Sequence, residues 1–266
     1  MAASSDIWLR RAAAATLAVL AVAGGIPAAA ADPNALWTIV NGQCVPDERA
    51  NDDPAPCALV DLDGGEQQGY AVLKDLVGAT QYLLIPTERT DGIESPQIIA
   101  ADAPNYFADA WHARSFTEQR AGRALPRDWI SLAINSADTR TQNQLHIHID
   151  CVRADVRQAL AAHIGDIGPI WAPFPVPLVG QQYRVMAEWA QDLDAVNPFT
   201  VLADDLAPGD IMAAQTLVVV GITGADGRPG FALLAGRADP ADPTSGSGED
   251  LQDHAACPPP ADVMGK

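Results

Sequence analysis

The chain has 266 residues, with 34 acidic against 16 basic side chains and a formal net charge of −18. That length allows one large domain or two small ones with a sizeable core. A field of that sign opposes attachment to nucleic acid, which is excluded as a partner, and any phosphate-bearing ligand must be held by a local cluster of donors.

Taken in order, Arg10-Arg11 precede an apolar run from Ala12 to Ala23, then Gly24 to Pro27 and the small residues Ala28 to Ala31. This is the layout of a secretory leader, so residues 1–31 are expected to be a signal peptide cleaved after Ala31 or, uncleaved, a membrane anchor. Either way the remaining domain, 32–266, is exported, to the outer face of the cytoplasmic membrane or the cell envelope. Export makes the four cysteines candidates for disulfides, with three possible pairings. Cys44 and Cys57 bracket a polar, Pro-containing loop and suit a local bridge, which leaves Cys151 to pair with Cys257 and tie the tail to the middle of the chain.

From Asp32 to Gly65 the chain is turn-rich, with a short helix expected at Trp37 to Val40. Gly69 to Asp75 and Gln81 to Pro86 are predicted strands forming a hairpin around Gly78. Pro104 to Arg123 predicts a helix carrying Phe107 and Trp111 as core residues. Trp129 to Asn135 and Gln144 to Cys151 are two further strands, joined by the polar stretch 136–143 and so antiparallel neighbours. Ala154 to His163 predicts a helix with Asp155 in its first turn. After the Pro-rich connection Pro169 to Pro177, a second hairpin is expected from Thr216 to Ile222 and Gly230 to Ala235. Ala238 to Asp250, rich in Pro, Gly, Ser and Asp, is expected to be a flexible segment before the tail. Hairpins with intervening helices give α+β with a largely antiparallel sheet and flanking helices.

The most informative segment is Gln144-Leu145-His146-Ile147-His148-Ile149-Asp150-Cys151. Alternation predicts a strand buried on one face, with Gln144, His146, His148 and Asp150 sharing the other. Two imidazoles roughly 6.6 Å apart along a strand suit a metal ion or a phosphate. Zinc normally takes a third protein ligand, and His112, His163 and His254 lack motif spacing, so no metal and no cofactor are expected. Asp150, at the strand end, reads as a turn or solvent group.

With Asn135 before it and Thr141 in the connecting loop, this segment resembles the histidine-triad superfamily of nucleotide hydrolases and transferases, with Gln144 at the position of the first histidine. Blocks in order, Gly69 to Leu76, Gln81 to Thr87, Glu94-Ser95-Pro96, Ser131 to Ser136 and Arg140 to Asn143, resemble the bacterial CDP-diacylglycerol pyrophosphatase family. The likeness runs from about Trp37 to Arg157 and more weakly to the last cysteine.

The resemblance implies a histidine-triad (HIT-like) fold and hydrolysis of CDP-diacylglycerol, at a membrane surface, to CMP and phosphatidate. It implies that His146 is the nucleophile and that His148 and Asn135 contact phosphate, with Thr141 beside the leaving oxygen. The nucleophile's other ring nitrogen is expected to be held by a carbonyl of a neighbouring strand. Gln144 can donate hydrogen bonds to the substrate but cannot titrate. Arg140, by position, is a better phosphate candidate than Lys74, for which a surface ion pair with Asp75 competes. No obligate protein partner is inferred. The competing reading is a non-catalytic exported domain that binds a nucleotide or lipid headgroup.

Overall fold

Runs such as Thr216 to Val220 and Ile147 to Ile149 favour extended backbone, because β-branched side chains are stiff at χ1 and pack well on a pleated surface. The structure, a computed structural model describing residues 32–255 and 257, gathers such runs into one antiparallel sheet. Its strands are β1 (Leu59–Asp61), β2 (Tyr70–Lys74), β3 (Tyr82–Pro86), β4 (Ile130–Ile134), β5 (Ile147–Cys151), β6 (Ala172–Pro173), β7 (Arg184–Glu188), β8 (Gln215–Thr223) and β9 (Pro229–Arg237). They lie side by side in the order β1-β2-β3-β5-β4-β8-β9-β7-β6. Both expected hairpins form, β2 with β3 and β8 with β9, and β4 pairs with β5. With helices α1 (Ala35–Ile39), α2 (Val45–Asn51), α3 (Tyr106–Ala121), α4 (Ala154–Ala162) and α5 (Pro198–Ala203), the fold is α+β. The leader, 1–31, lies outside the described residues.

Each face of the sheet has its own cover. The long helix α3 starts where Asn105 accepts a hydrogen bond from the Ala108 amide (3.2 Å) and stops at Gly122, whose φ of 73° suits the left-handed cap that glycine adopts without strain. It lays Phe107 and Trp111 into the core, against Phe199 of α5 and Phe231 of β9, at ring separations of 4.8 Å in both pairs. Four large rings buried this way contribute several kcal/mol each by area, before the entropy of ordering is subtracted. On the opposite face Leu36, Val40 and Val45 pack with Leu73, Leu83 and Ile85. Leu83 stands directly opposite His148. Directly paired residues share a face, so the histidines point to the side covered by the N-terminal helices.

Two local expectations are corrected. The helix expected at Trp37 to Val40 is part of a longer helical run, in which α1 continues through a π-helical turn at Val40–Cys44 into α2. The stretch between Cys44 and Cys57 therefore begins as a helix, with Pro46 tolerated in its first turn. Segments too short or too polar for a periodicity argument were missed: β1, β6, β7 and α5.

Cys44 is bonded to Cys57 and Cys151 to Cys257. Two disulfides fit an exported protein in an oxidising compartment. The second spans 106 residues of sequence and fastens the C-terminal strap, residues 245–257, beside β5. The Asp253 amide donates to the Cys151 carbonyl (2.9 Å) and the Arg153 amide to the Leu251 carbonyl (2.9 Å). Upstream, 238–250 is held by the Gly246 carbonyl, which accepts from the Ser136 amide (3.0 Å), and by Ser245, wholly within the fold.

Candidate active site

The strand β5 begins at Ile147, not Gln144, and the whole segment Gln144 to Cys151 is buried on both faces. The expectation of one solvent-facing side fails because two other segments cover the polar face: 86–90 over Gln144, and the C-terminal strap over His148.

Gln144 is fully buried and fully occupied. Its amide nitrogen donates to the carbonyls of Pro86 (3.0 Å) and Glu88 (2.9 Å), and its oxygen accepts from the Thr90 amide (3.3 Å). The Leu145 amide donates to the Thr90 carbonyl (2.6 Å). The side chain anchors its own stretch of backbone and has no donor left for a substrate.

That anchored peptide orients His146. The ring Nδ1 lies 2.7 Å from the Gln144 carbonyl, and since a carbonyl can only accept, Nδ1 carries the proton. Nε2 then holds the lone pair. The orienting carbonyl belongs to the histidine's own segment, not to a neighbouring strand as expected. Burial, then the neighbouring His148, lowers the His146 pKa from 6.5 to about 4, partly offset by the bond to Gln144. The ring is therefore neutral at pH 7, the form in which imidazole is a nucleophile.

His148 packs edge-on against it, with ring centroids 4.9 Å apart. Its Nδ1 accepts from the Gln81 amide nitrogen (2.6 Å), which also donates to Asp75 Oδ2 (2.8 Å). An amide nitrogen can only donate, so His148 carries its proton on Nε2. That atom is buried without a protein partner. Asp75 and Glu249 stand 3.8 and 3.4 Å from Nδ1. Burial pulls the His148 pKa down against the pull of Asp75.

The remaining expected residues divide. Asn135, at the end of β4, does not offer its amide to a ligand: Nδ2 donates to Glu249 (2.8 Å), and Oδ1 accepts from the amides of Gly248 (2.8 Å) and Glu249 (3.2 Å). Arg140 joins Asn135, Gln144 and His146 around one small cleft, with Asp91 and Gly92. Its Nη1 pairs with Glu94 at 2.6 Å, and a Cβ on Gly92 would come within 2.2 Å of that nitrogen. Thr141 is exposed on the loop that residues 32–36 grip, through the Asn143 amide on the Pro33 carbonyl (2.6 Å). Lys74 lies elsewhere. It pairs with Tyr82, which faces Ile149, so it sits on the α3 side of the sheet, and its Nζ donates to the carbonyls of Asp75 (2.7 Å) and Gly78 (2.8 Å) in place of a surface ion pair.

Asp150 is wholly buried, contrary to the solvent reading. Oδ1 accepts from Thr80 Oγ1 (2.8 Å) and the Cys151 amide (2.9 Å), and His254 of the strap stands 3.7 Å from Oδ2. Asp75, Gln81, Glu249, Gln252 and His254 thus surround the site without having been singled out by sequence. The available signal was the cysteine pairing, which tied the tail to the His strand.

A family model described as CDP-diacylglycerol pyrophosphatase matches residues 31–258. A CDP-diacylglycerol pyrophosphatase of Yersinia pestis is 45% identical to this chain over 223 residues, 83% of each protein.

Proposed function

We propose a covalent route through His146 for a chain that belongs to the CDP-diacylglycerol pyrophosphatase family and so is a hydrolase acting on a pyrophosphate bond. The substrate is CDP-diacylglycerol and the products are CMP and phosphatidate. The observation that carries the route is the 2.7 Å bond from His146 Nδ1 to the Gln144 carbonyl, which leaves Nε2 with its lone pair.

In the first step Nε2 attacks the α-phosphorus of the cytidylyl half, and the bond from that phosphorus to the bridging oxygen breaks. Phosphatidate leaves with the electron pair. The cytidylyl group is now on Nε2, and the imidazolium charge is spread towards Nδ1–H, where the Gln144 carbonyl stabilises it. In the second step a water oxygen bonds to the phosphorus, the P–Nε2 bond breaks, and the water proton passes to solvent. The Nε2–H of His148 donates to a phosphate oxygen in both steps. Arg140 lines the cleft as a cation already balanced by Glu94, while Thr141 belongs to the cleft's outer loop. Lys74, on the other face, has no part in this reading.

The pyrophosphatase fold of this reading is the histidine-triad one, and the lipid end of the substrate lies in a membrane surface, at the outer face of the cytoplasmic membrane or within the cell envelope. Residues 1–31 serve as its leader or anchor. Among the described residues no helix is long and apolar enough to cross a membrane.

Incubation with CDP-diacylglycerol in detergent micelles, followed by quantification of CMP, tests the reaction. The intact protein is expected to release CMP and His146→Ala to fall by a factor of about 10³ or more, as loss of a covalent nucleophile does. Protein quenched in alkaline denaturant should carry a cytidylyl group on His146 that is stable in base and released by acid. Substantial CMP release by His146→Ala overturns the route; no CMP from the intact protein, with nucleotide still bound, returns the binding-domain alternative.

A further inference from the structure

The C-terminal strap places a carboxylate on the far side of His148 from the substrate. Three features hold it there. Asn135 grips the strap backbone at Gly248 and Glu249 and the Glu249 side chain at once. Gly248 lets the strap lie flat, since a Cβ there would come within 2.5 Å of Thr216 Oγ1 and 3.0 Å of the Ile134 carbonyl. Gln252 donates to the Ser131 and His148 carbonyls, at 3.1 Å each, so the strap is fixed to the His148 backbone as well.

We propose that Glu249 is a positioning residue that acts through His148: when an anionic pyrophosphate group meets His148 Nε2–H, the carboxylate allows Nδ1 to take up a proton from solvent. His148 then holds the phosphate as an imidazolium between two anions. This rests on the pyrophosphatase reading above and adds the residue that sets the charge of its phosphate ligand.

Each charged group facing His148 bears on the outcome. Asp75 and Glu249 favour the cation, while His146 and His254 oppose it when protonated. In the free protein the Gln81 amide nitrogen sits on Nδ1, while Gln81 Oε1 is buried without a partner. A protonated Nδ1 repels that amide nitrogen, which keeps its bond to Asp75 Oδ2, and turns to the Glu249 carboxylate 3.4 Å away.

The test uses the full chain labelled with ¹⁵N-histidine, titrated with and without inorganic pyrophosphate. In the wild type the His148 midpoint is expected to rise on pyrophosphate addition from about 4 into the neutral range, about three units and so a thousandfold change in proton affinity. In Glu249→Gln, which keeps the size and can still accept from Asn135, that rise should vanish, and Glu249→Asp should restore part of it. An equal rise in Glu249→Gln, or none in the wild type, overturns the proposal. CMP release run in parallel separates the two readings: wild-type inactivity sinks the pyrophosphatase reading whatever the titration shows, and an active wild type whose alkaline limb is unmoved in Glu249→Gln sinks this one.

Discussion

The two ends of the His strand are built on opposite principles. At the Gln144–His146 end the Gln144 amide and His146 Nδ1 have fixed partners, all of them backbone groups of 86–90 or of the segment itself, and only Arg140 Nε beside them is buried without one among the described residues. At the His148–Asp150 end His148 Nε2, Gln81 Oε1, Asp150 Oδ2, Gln252 Oε1 and His254 Nδ1 are buried with no hydrogen-bond partner. Buried polar atoms are ordinarily paired, since leaving one unmade costs about 1–3 kcal/mol. The closed end fixes one tautomer of one ring. The open end keeps unspent donors and acceptors for a ligand or a proton.

If that contrast is right, damage to the closed end should be the more severe. Gln144→Ala removes the partners of the Thr90 amide and of the Pro86 and Glu88 carbonyls, and frees the peptide that aims His146. The expected loss is about 100-fold in kcat, the order that a 1 Å misplacement of a reacting group produces. Stability should fall by about 2–4 kcal/mol in denaturant titration, from unmade buried hydrogen bonds. A Gln144→Ala protein with near-normal kcat would show that the anchoring is incidental.

Releasing the strap attacks the open end alone. Cys151→Ser with Cys257→Ser opens a loop of 106 residues, and the expected stability loss is about 2–4 kcal/mol. Activity should fall about tenfold, the weight of one weakened phosphate contact of roughly 1.4 kcal/mol. The sharper readout is the tautomer: ¹⁵N shifts of His146 should stay those of an Nδ1–H ring while those of His148 change. If both rings change together, the two ends are one cooperative unit and the comparison collapses.

How far the sequence foresaw this follows the same division. The strands β2, β3, β4, β5, β8 and β9 and the helix α3 were legible because their apolar residues recur with the period of the element, and Phe107 and Trp111 were correctly assigned to the core. The His strand was legible as a strand but not as a doubly buried one. Its second cover comes from residues 86–90 and 245–257, whose composition reads as loop, and nothing local says which surface a loop will cover. Gln144 illustrates the limit: its amide was weighed against a substrate, whereas its partners are three backbone groups more than fifty residues away in sequence. Lys74 failed for a simpler reason, since a strand end alone did not say which face of the sheet its side chain would take.

The smallest expected effect, a displaced limb in a pH profile, discriminates best between the two ends. Burial and then His148 hold His146 at a pKa of about 4, against about 6.5 in the unfolded chain. As pH falls the unfolded chain binds this proton first, so the group withdraws stability between about 6.5 and 4, by about 3 kcal/mol in all, and leaves it intact above that window. A melting experiment would blur this. Asp109, raised to about 6 by burial and then by Asp61, and His254, raised first by the Asp150 carboxylate 3.7 Å away, both bind protons more readily in the folded chain and push the other way. On the proposed route the catalytic rate isolates His146, because only the neutral Nε2 would attack. The acid limb of kcat/KM, which reports the free protein, should therefore fall near pH 4. A limb between 6 and 7 would mean that His146 is solvated like an ordinary histidine, and the closed end would not be closed.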